Sequence, residues 1–181
     1  MPEVETSRLH LRMFTPEDLN DLYFRIYSDP GVMRYLPGGL PRTLERTAAV
    51  LREFAAHWER HGFGAWAIED RENNEFIGQV GLQYIEDTAD VEVFYALGRD
   101  FWGQGLATEA ARAALRYGFE HEQLKRIWAL AAHENIASQC VLIKVGMRYA
   151  RDAEMYGLKV KMFTLETSEF DPGGGFYQVR V

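Results

Sequence analysis

Residues 100–121 read DFWGQGLATEAARAALRYGFEH, and the reading of this stretch decides the fold. Gly103 and Gly105 stand one residue apart, and an alanine-rich run with helical spacing follows them. The segment before them, ADVEVFYAL (89–97), reads as a strand. Strand, glycine turn and helix make a phosphate-binding arrangement, because the first N–H groups of a helix lack intrahelical partners and point outward together. Glycine allows unusual dihedrals and lets an anion come close. One favourable charge at such an exposed terminus is worth roughly 0.3–1 kcal/mol, so several N–H groups must act together. No Lys or Arg lies in the first turn, which leaves the bare backbone as the grip. A P-loop would require Lys after its last glycine, and the dinucleotide fingerprint a third glycine where Thr108 stands. Both nucleotide patterns therefore fail on residue identity. The plainer alternative is a helix start whose glycines serve tight packing. The cluster Ala107, Ala110, Ala111, Ala113 and Ala114 suits a helix lying close on a sheet.

Outward from this turn the chain alternates strands and helices. SRLHLRMF (7–14) alternates Leu9, Leu11 and Met13 against Arg8, His10 and Arg12, as a half-buried strand does. A helix follows with Thr15 as N-cap and Pro16 in its first turn, stopping at Asp29-Pro30. GVMRYLPGGLPR reads as a loop, and Thr43 opens a second helix to about Arg60. GAWAIED and EFIGQVGLQYI form a hairpin about the turn RENN. After the alanine-rich helix come a strand KRIWALAA (125–132), a short helix NIASQCVLIKVG ended by Gly146, and two strands. The fold class is mixed α/β around one central sheet, and the chain reads as one domain over 1–181. Residues from about 170 form a C-terminal extension, whose PGGG is either a mobile hinge or a tight turn into a last strand.

The 181 residues carry a net charge of −7, which argues against a nucleic-acid surface and is compatible with a cationic amine substrate. The single Cys140 excludes an intrachain disulfide and fits a reducing compartment. MPEVETSRLHLRMF lacks a signal peptide's apolar stretch, and no apolar run approaches the roughly 20 residues that span a bilayer. A cytoplasmic protein with no membrane partner is expected. His57 and His61 have metal-ligand spacing, yet HWERH fails the metalloprotease pattern, so they read as a solvated helix face and no metal is expected. Trp58, Trp66 and Trp128 read as core, as does Cys140.

WGQGLATEA resembles the acetyl-CoA pyrophosphate loop of the GNAT acetyltransferase superfamily, with Gly105 and Ala107 matching and Trp102 in the leading position. Trp there is similar to the branch of RimJ/RimL-type ribosomal-protein N-terminal acetyltransferases. ETSRLHLRMFTPEDLNDLY with SDPGVMRYLPGG resembles that branch's opening, and GAWAIED…FIGQVGL its central hairpin. NIASQCVLIKVGM resembles its helix motif, with Met147 in place of Phe. The resemblance spans about residues 5–166. It implies a sheet splayed between its fourth and fifth strands (counted from 7–14), with acetyl-CoA in the opening. By this resemblance the backbone of Tyr95, Ala96 and Leu97 pairs with the pantetheine arm. Trp102, Gly103, Gln104, Gly105, Leu106, Ala107 and Thr108 form the cofactor loop, and the N–H groups from Gly103 onward hold the pyrophosphate.

Acetyl transfer to an amine needs a neutral amine, a polarised thioester carbonyl and a proton for the thiolate. A backbone N–H of the splayed strand suits the carbonyl oxygen. Glu92 is the candidate base, where the branch often carries Glu; the alternative is a surface carboxylate. Asn135 would orient cofactor amides or a water, or cap the next helix. Ser138, by resemblance, faces the thioester sulfur; the alternative is a capping hydroxyl. Many GNAT enzymes place a Tyr general acid where this chain has Leu142, which leaves the proton donor open between Ser138 and water. Met33, Arg34 and Tyr35 lie in the loop that overhangs the acceptor site in this branch.

The expected function is an acetyl-CoA-dependent N-acetyltransferase acting on a primary amine, with a protein or peptide N-terminal α-amine as acceptor. A lysine amine costs roughly 3 kcal/mol more to deprotonate at neutral pH than an α-amine, so a weak base favours the latter. The alternatives are a small-molecule acceptor (amino acid, polyamine or antibiotic) and a non-catalytic acyl-CoA sensor. A third is an interaction protein whose tail adds a strand to another subunit. The loops 31–42 and 150–158 are expected to decide the acceptor, and a homodimer is compatible with the sequence.

Overall fold

The structure, a computed structural model, describes residues 2–181. All nine strands lie in one sheet of order β7-β8-β6-β5-β4-β3-β2-β1-β9. The strands are β1 (Glu3–Thr6), β2 (Leu9–Met13), β3 (Ala65–Asp70), β4 (Phe76–Tyr84) and β5 (Val91–Leu97). The others are β6 (Arg126–Ala132), β7 (Arg148–Met155), β8 (Leu158–Glu166) and β9 (Tyr177–Arg180). The helices are α1 (Leu19–Leu22), α2 (Pro30–Met33), α3 (Leu44–His61), α4 (Leu106–Glu120) and α5 (Ile136–Lys144).

Local chemistry accounts for the long elements. Thr43 accepts a hydrogen bond from the Arg46 N–H and starts α3, which Gly62 ends at φ 76°. In α4 Ala110, Ala111, Ala113 and Ala114 are all buried, as a helix pressed against a sheet requires. Gly118 continues that face, since a Cβ there would lie 2.7 Å from Ile127 Cδ1.

Strand alternation divides the core in two. Trp66, Val80 and Tyr95 are cross-strand neighbours and share one face, the one α4 covers. Ala67, Gln79 and Ala96 share the other, where Ala67 and Ala96 pack with Leu22, Ile26, Val32, Met33 and Val50.

Several sequence expectations need correction. The strand read over 7–14 is β2, and a further strand, β1, precedes it unread, because its four residues are too few to display a period. The first helix is composite: a 3₁₀ turn over Pro16–Asp18, α1, and a wider turn over Tyr23–Tyr27. The segment read as a loop contains α2, capped by Asp29, whose Oδ1 accepts from the Gly31 N–H at 2.8 Å. The tail turns into a last strand, β9, which pairs with β1 of its own chain and forms an edge of the sheet. On its way it crosses α4, where Arg112 donates to the Asp171 carbonyl and Phe170 packs on Phe119. Trp128 is half-buried, with Arg126 over its ring, and Cys140 is exposed.

Among the described residues β5 and β6 are the one parallel pair, and they are in register only at Glu92↔Trp128. From Val93 onward β5 has no strand opposite its β6-facing edge. These are the fourth and fifth strands of the sequence reading, so the splay falls where expected.

Candidate active site

At the far end of this gap the glycine turn has the expected geometry. Gly103 and Gly105 take φ 75° and 78°, the left-handed region where a side chain is strained. Gly105 is the N-cap of α4 and makes no side-chain cap, so the first-turn N–H groups have no side-chain acceptor. A Cβ at Gly103 would meet nothing within 4 Å, which leaves the turn open to a ligand. Trp102, half exposed, donates its indole N–H to the Leu97 carbonyl at 2.8 Å and ties the turn to the end of β5. One carbonyl of the Tyr95–Leu97 stretch expected to pair with pantetheine is therefore already engaged. Leu106 is buried, so what it and its neighbours Gln104, Ala107 and Thr108 present in common is main chain.

A cation does reach the turn, from a part of the chain that the sequence reading did not connect with it. Arg8, between β1 and β2, donates to Glu109 Oε2 at 2.7 Å and to the Gln104 carbonyl at 2.9 Å. Its Nη2 would lie 3.5 Å from a Cβ on Gly105. Glu109 also accepts from the Thr6 hydroxyl and the Arg8 N–H, and these bonds hold its carboxyl below the usual range. Nothing local in 100–121 signals this brace.

Where β6 leaves β5, a cavity of about 230 Å³ opens through the sheet. Glu92 and Phe94 line it from one face of β5, Val93 and Tyr95 from the other. That four consecutive residues of β5 reach one cavity fits its place at the open edge of that strand. Glu92 is 4% exposed, and burial pushes its carboxyl from 4.5 up to about 7. Gln83 opposes this weakly by donating to Glu92 Oε1 at 2.7 Å. The surface-carboxylate reading of Glu92 is thereby excluded.

Across the gap, α5 contributes Ser138 and Leu142. Asn135 caps α5 by accepting from the Ser138 N–H at 3.1 Å. Ser138 Oγ lies 2.9 Å from the Tyr95 hydroxyl. The roof comes from loop 35–42 and the β7–β8 turn, which meet where Gly38 N–H donates to the Tyr156 carbonyl. Tyr35, Arg42 and Tyr156 line it, and Arg42 rests its guanidinium on the Tyr27 ring at 4.6 Å. Two expected acceptor residues are not part of it. Met33 is fully buried in the helix-side core, because α2 turns its apolar face inward, and Arg34 points out to pair with Glu134. Tyr27 and Glu53 are lining residues that sequence reasoning missed, while Arg42 and Tyr156 belong to the two loops expected to decide the acceptor. The histidine pair lies elsewhere: the His57 and His61 rings meet tilted at 4.6 Å among Phe63 and Tyr84, with His57 Nδ1 on the Phe63 carbonyl.

Residues 8–148 match the family described as the acetyltransferase (GNAT) domain. The chain belongs to the GNAT acetyltransferase family. The uncharacterized protein YkkB of Bacillus subtilis is 32% identical over 160 residues, covering 87% of this chain and 92% of that protein. A GNAT-family acetyltransferase from Bacillus anthracis superposes with TM-score 0.81 at 24% identity, over 92% of this chain and 99% of that one. RimJ of Mycobacterium smegmatis, in complex with CoA-disulfide, gives TM-score 0.79 at 21% identity over 93% and 88%. These structures share the fold. GNAT enzymes use acetyl-CoA and an amine acceptor, and the chain is an N-acetyltransferase of this family. Among the described residues, no helix is long and apolar enough to cross a membrane.

Proposed function

We propose that the protein transfers the acetyl group of acetyl-CoA directly to an α-amine, with a protein or peptide N-terminus as the acceptor. The observation that carries this reading is Glu92, a buried carboxyl with its proton affinity raised to about 7, inside the cavity at the splay. Acetyl-CoA supplies the activated acetyl group. The N–H groups from Gly103 to Thr108 bind its pyrophosphate, and the open edge of β5 at Tyr95–Leu97, apart from the Leu97 carbonyl that Trp102 occupies, pairs with its pantetheine arm. The cradle fits such an arm, because β5 has unpaired backbone on one edge and the glycine turn is open. A β5 N–H on that edge would steady charge developing on the carbonyl oxygen.

Glu92 takes a proton from the ammonium, directly or through one water. A base near 7 stands about one unit below an α-amine near 8 and more than three below a lysine near 10.4. Each unit costs about 1.4 kcal/mol, which favours α-amines over lysine. Asn135 holds the first turn of α5, and with it Ser138, against the cavity.

The test is thiol release from acetyl-CoA with Ser- and Ala-initiated peptides, free amino acids, polyamines and aminoglycosides, run beside Glu92→Gln. Release with peptides alone, strongly reduced in the variant, is expected. Release with polyamines or aminoglycosides alone would replace the acceptor class, and release indifferent to the variant would remove Glu92 as base.

A further inference from the structure

The splay leaves one chemical need unmet by Glu92. When an amine displaces a thiolate, negative charge arrives on sulfur, and a donor there lowers the barrier. Leu142, buried in the cavity wall, has no proton to give. One turn earlier on the same face of α5 stands Ser138. Its hydroxyl meets the Tyr95 hydroxyl at 2.9 Å, and the same Tyr95 oxygen lies 3.2 Å from the Ser138 carbonyl. Tyr95 thus reaches from β5 across the gap and can donate to either of two acceptors on one residue.

The two arrangements differ in what Ser138 can do. With the Tyr95 O–H on the carbonyl, the tyrosine oxygen accepts the Ser138 proton and turns it away from the cavity. With the Tyr95 O–H on Ser138 Oγ, the Ser138 O–H is free to donate elsewhere. It also donates more strongly, because an oxygen that accepts a hydrogen bond is polarised by it. Negative charge on a nearby sulfur selects the second arrangement.

Resting on the acetyl-transfer reading, we propose that Tyr95 is a positioning residue that aims the Ser138 hydroxyl at the departing thiolate. As the N–C bond forms and the C–S bond breaks, the electron pair of the latter passes to sulfur. Ser138 donates a hydrogen bond to that sulfur while Tyr95 donates to Ser138. The amine's protons leave through Glu92 and water, and the thiolate takes its proton from solvent. Burial raises the Tyr95 hydroxyl above its ordinary range, so it remains a donor throughout.

Tyr95→Phe removes the hydroxyl and keeps the ring. Calorimetric titration with CoA and with desulfo-CoA, which lacks the sulfur, separates aim from packing. The expected result is CoA binding weakened about five- to tenfold with desulfo-CoA binding unchanged, and kcat lowered with KM for acetyl-CoA held. In a Ser138→Ala background, which itself reproduces the CoA-specific loss, Tyr95→Phe adds nothing further. Equal losses for both ligands, or an undiminished penalty in the Ser138→Ala background, would overturn the proposal and leave Tyr95 as packing. Should Tyr95→Phe not fold, Ser138→Ala alone decides: CoA and desulfo-CoA weakened alike sinks the aimed hydroxyl. Wild-type protein that binds neither CoA nor acetyl-CoA overturns the acetyl-transfer reading as well, whereas binding and turnover indifferent to Tyr95→Phe remove only this proposal.

Discussion

At one end of the gap between β5 and β6, consecutive residues from Trp102 to Thr108 make a surface from their own backbone. At the other, the cavity around Glu92 is assembled from residues as distant in sequence as Tyr27 and Val160. The first end works by conformation: two glycines with positive φ and the unpaired N–H groups of α4. The second works by burial, which raises Glu92 and joins two loops over it. Conformation is written locally, while burial depends on everything that folds over a residue.

If that contrast is right, each end can be damaged without the other. The largest effect belongs to Glu92→Gln. It keeps the bond from Gln83, and kcat is expected to fall at least about 100-fold, while acetyl-CoA affinity by calorimetry stays put. The same change tests burial through stability. The folded-state value, about 7, lies above the ordinary 4.5, so the folded protein binds this proton more tightly. That contribution is whole below about pH 4.5 and is lost as pH rises through about 7, an effect on the order of 3 kcal/mol. Thermal melts at pH 8 should therefore show Glu92→Gln more stable than wild type, with the advantage vanishing near pH 5.

Next in size is Gly105→Ala. The nearest atom to the new Cβ is Arg8 Nη2 at 3.5 Å, so the cost is φ rather than space, roughly 1–2 kcal/mol. Acetyl-CoA affinity should drop about tenfold, with the pH dependence of Glu92 intact. Arg8→Ala removes the brace to Gln104 and Glu109. A fewfold weaker acetyl-CoA is expected, with kcat at saturation preserved, because that network is partly exposed. A smaller effect is expected at the roof. Tyr156 holds φ 55° beside Gly157 at φ 76°, where Asn would suit the tight turn better. Tyr156→Asn should raise stability by about 0.5–1 kcal/mol and raise the acceptor's KM, leaving acetyl-CoA binding alone.

The same contrast explains what the sequence revealed. β5, the glycine turn and α4 were legible because their signals are adjacent: a strand pattern, two glycines, buried alanines. Glu92 was placed by resemblance, but its burial was not visible in an alternating strand. The Arg8–Glu109 pair joins positions about a hundred residues apart and leaves no periodic trace. β1 and β9 were missed or left open because a four-residue strand becomes recognisable only through its partner. Met33 failed as an acceptor residue for a related reason. The loop reading overlooked α2, whose turn swings that side chain into the core.

The most direct measurement is kcat against pH, from 5.5 to 9, for wild type and Glu92→Gln with an α-amine peptide at saturation. The account predicts a wild-type rate that climbs through an apparent value near 7 and flattens above it, with the climb absent and the rate at least about 100-fold lower in the variant. A variant that keeps both the wild-type rate and its acid limb would contradict the assignment of Glu92 as the base on which the acceptor end is built.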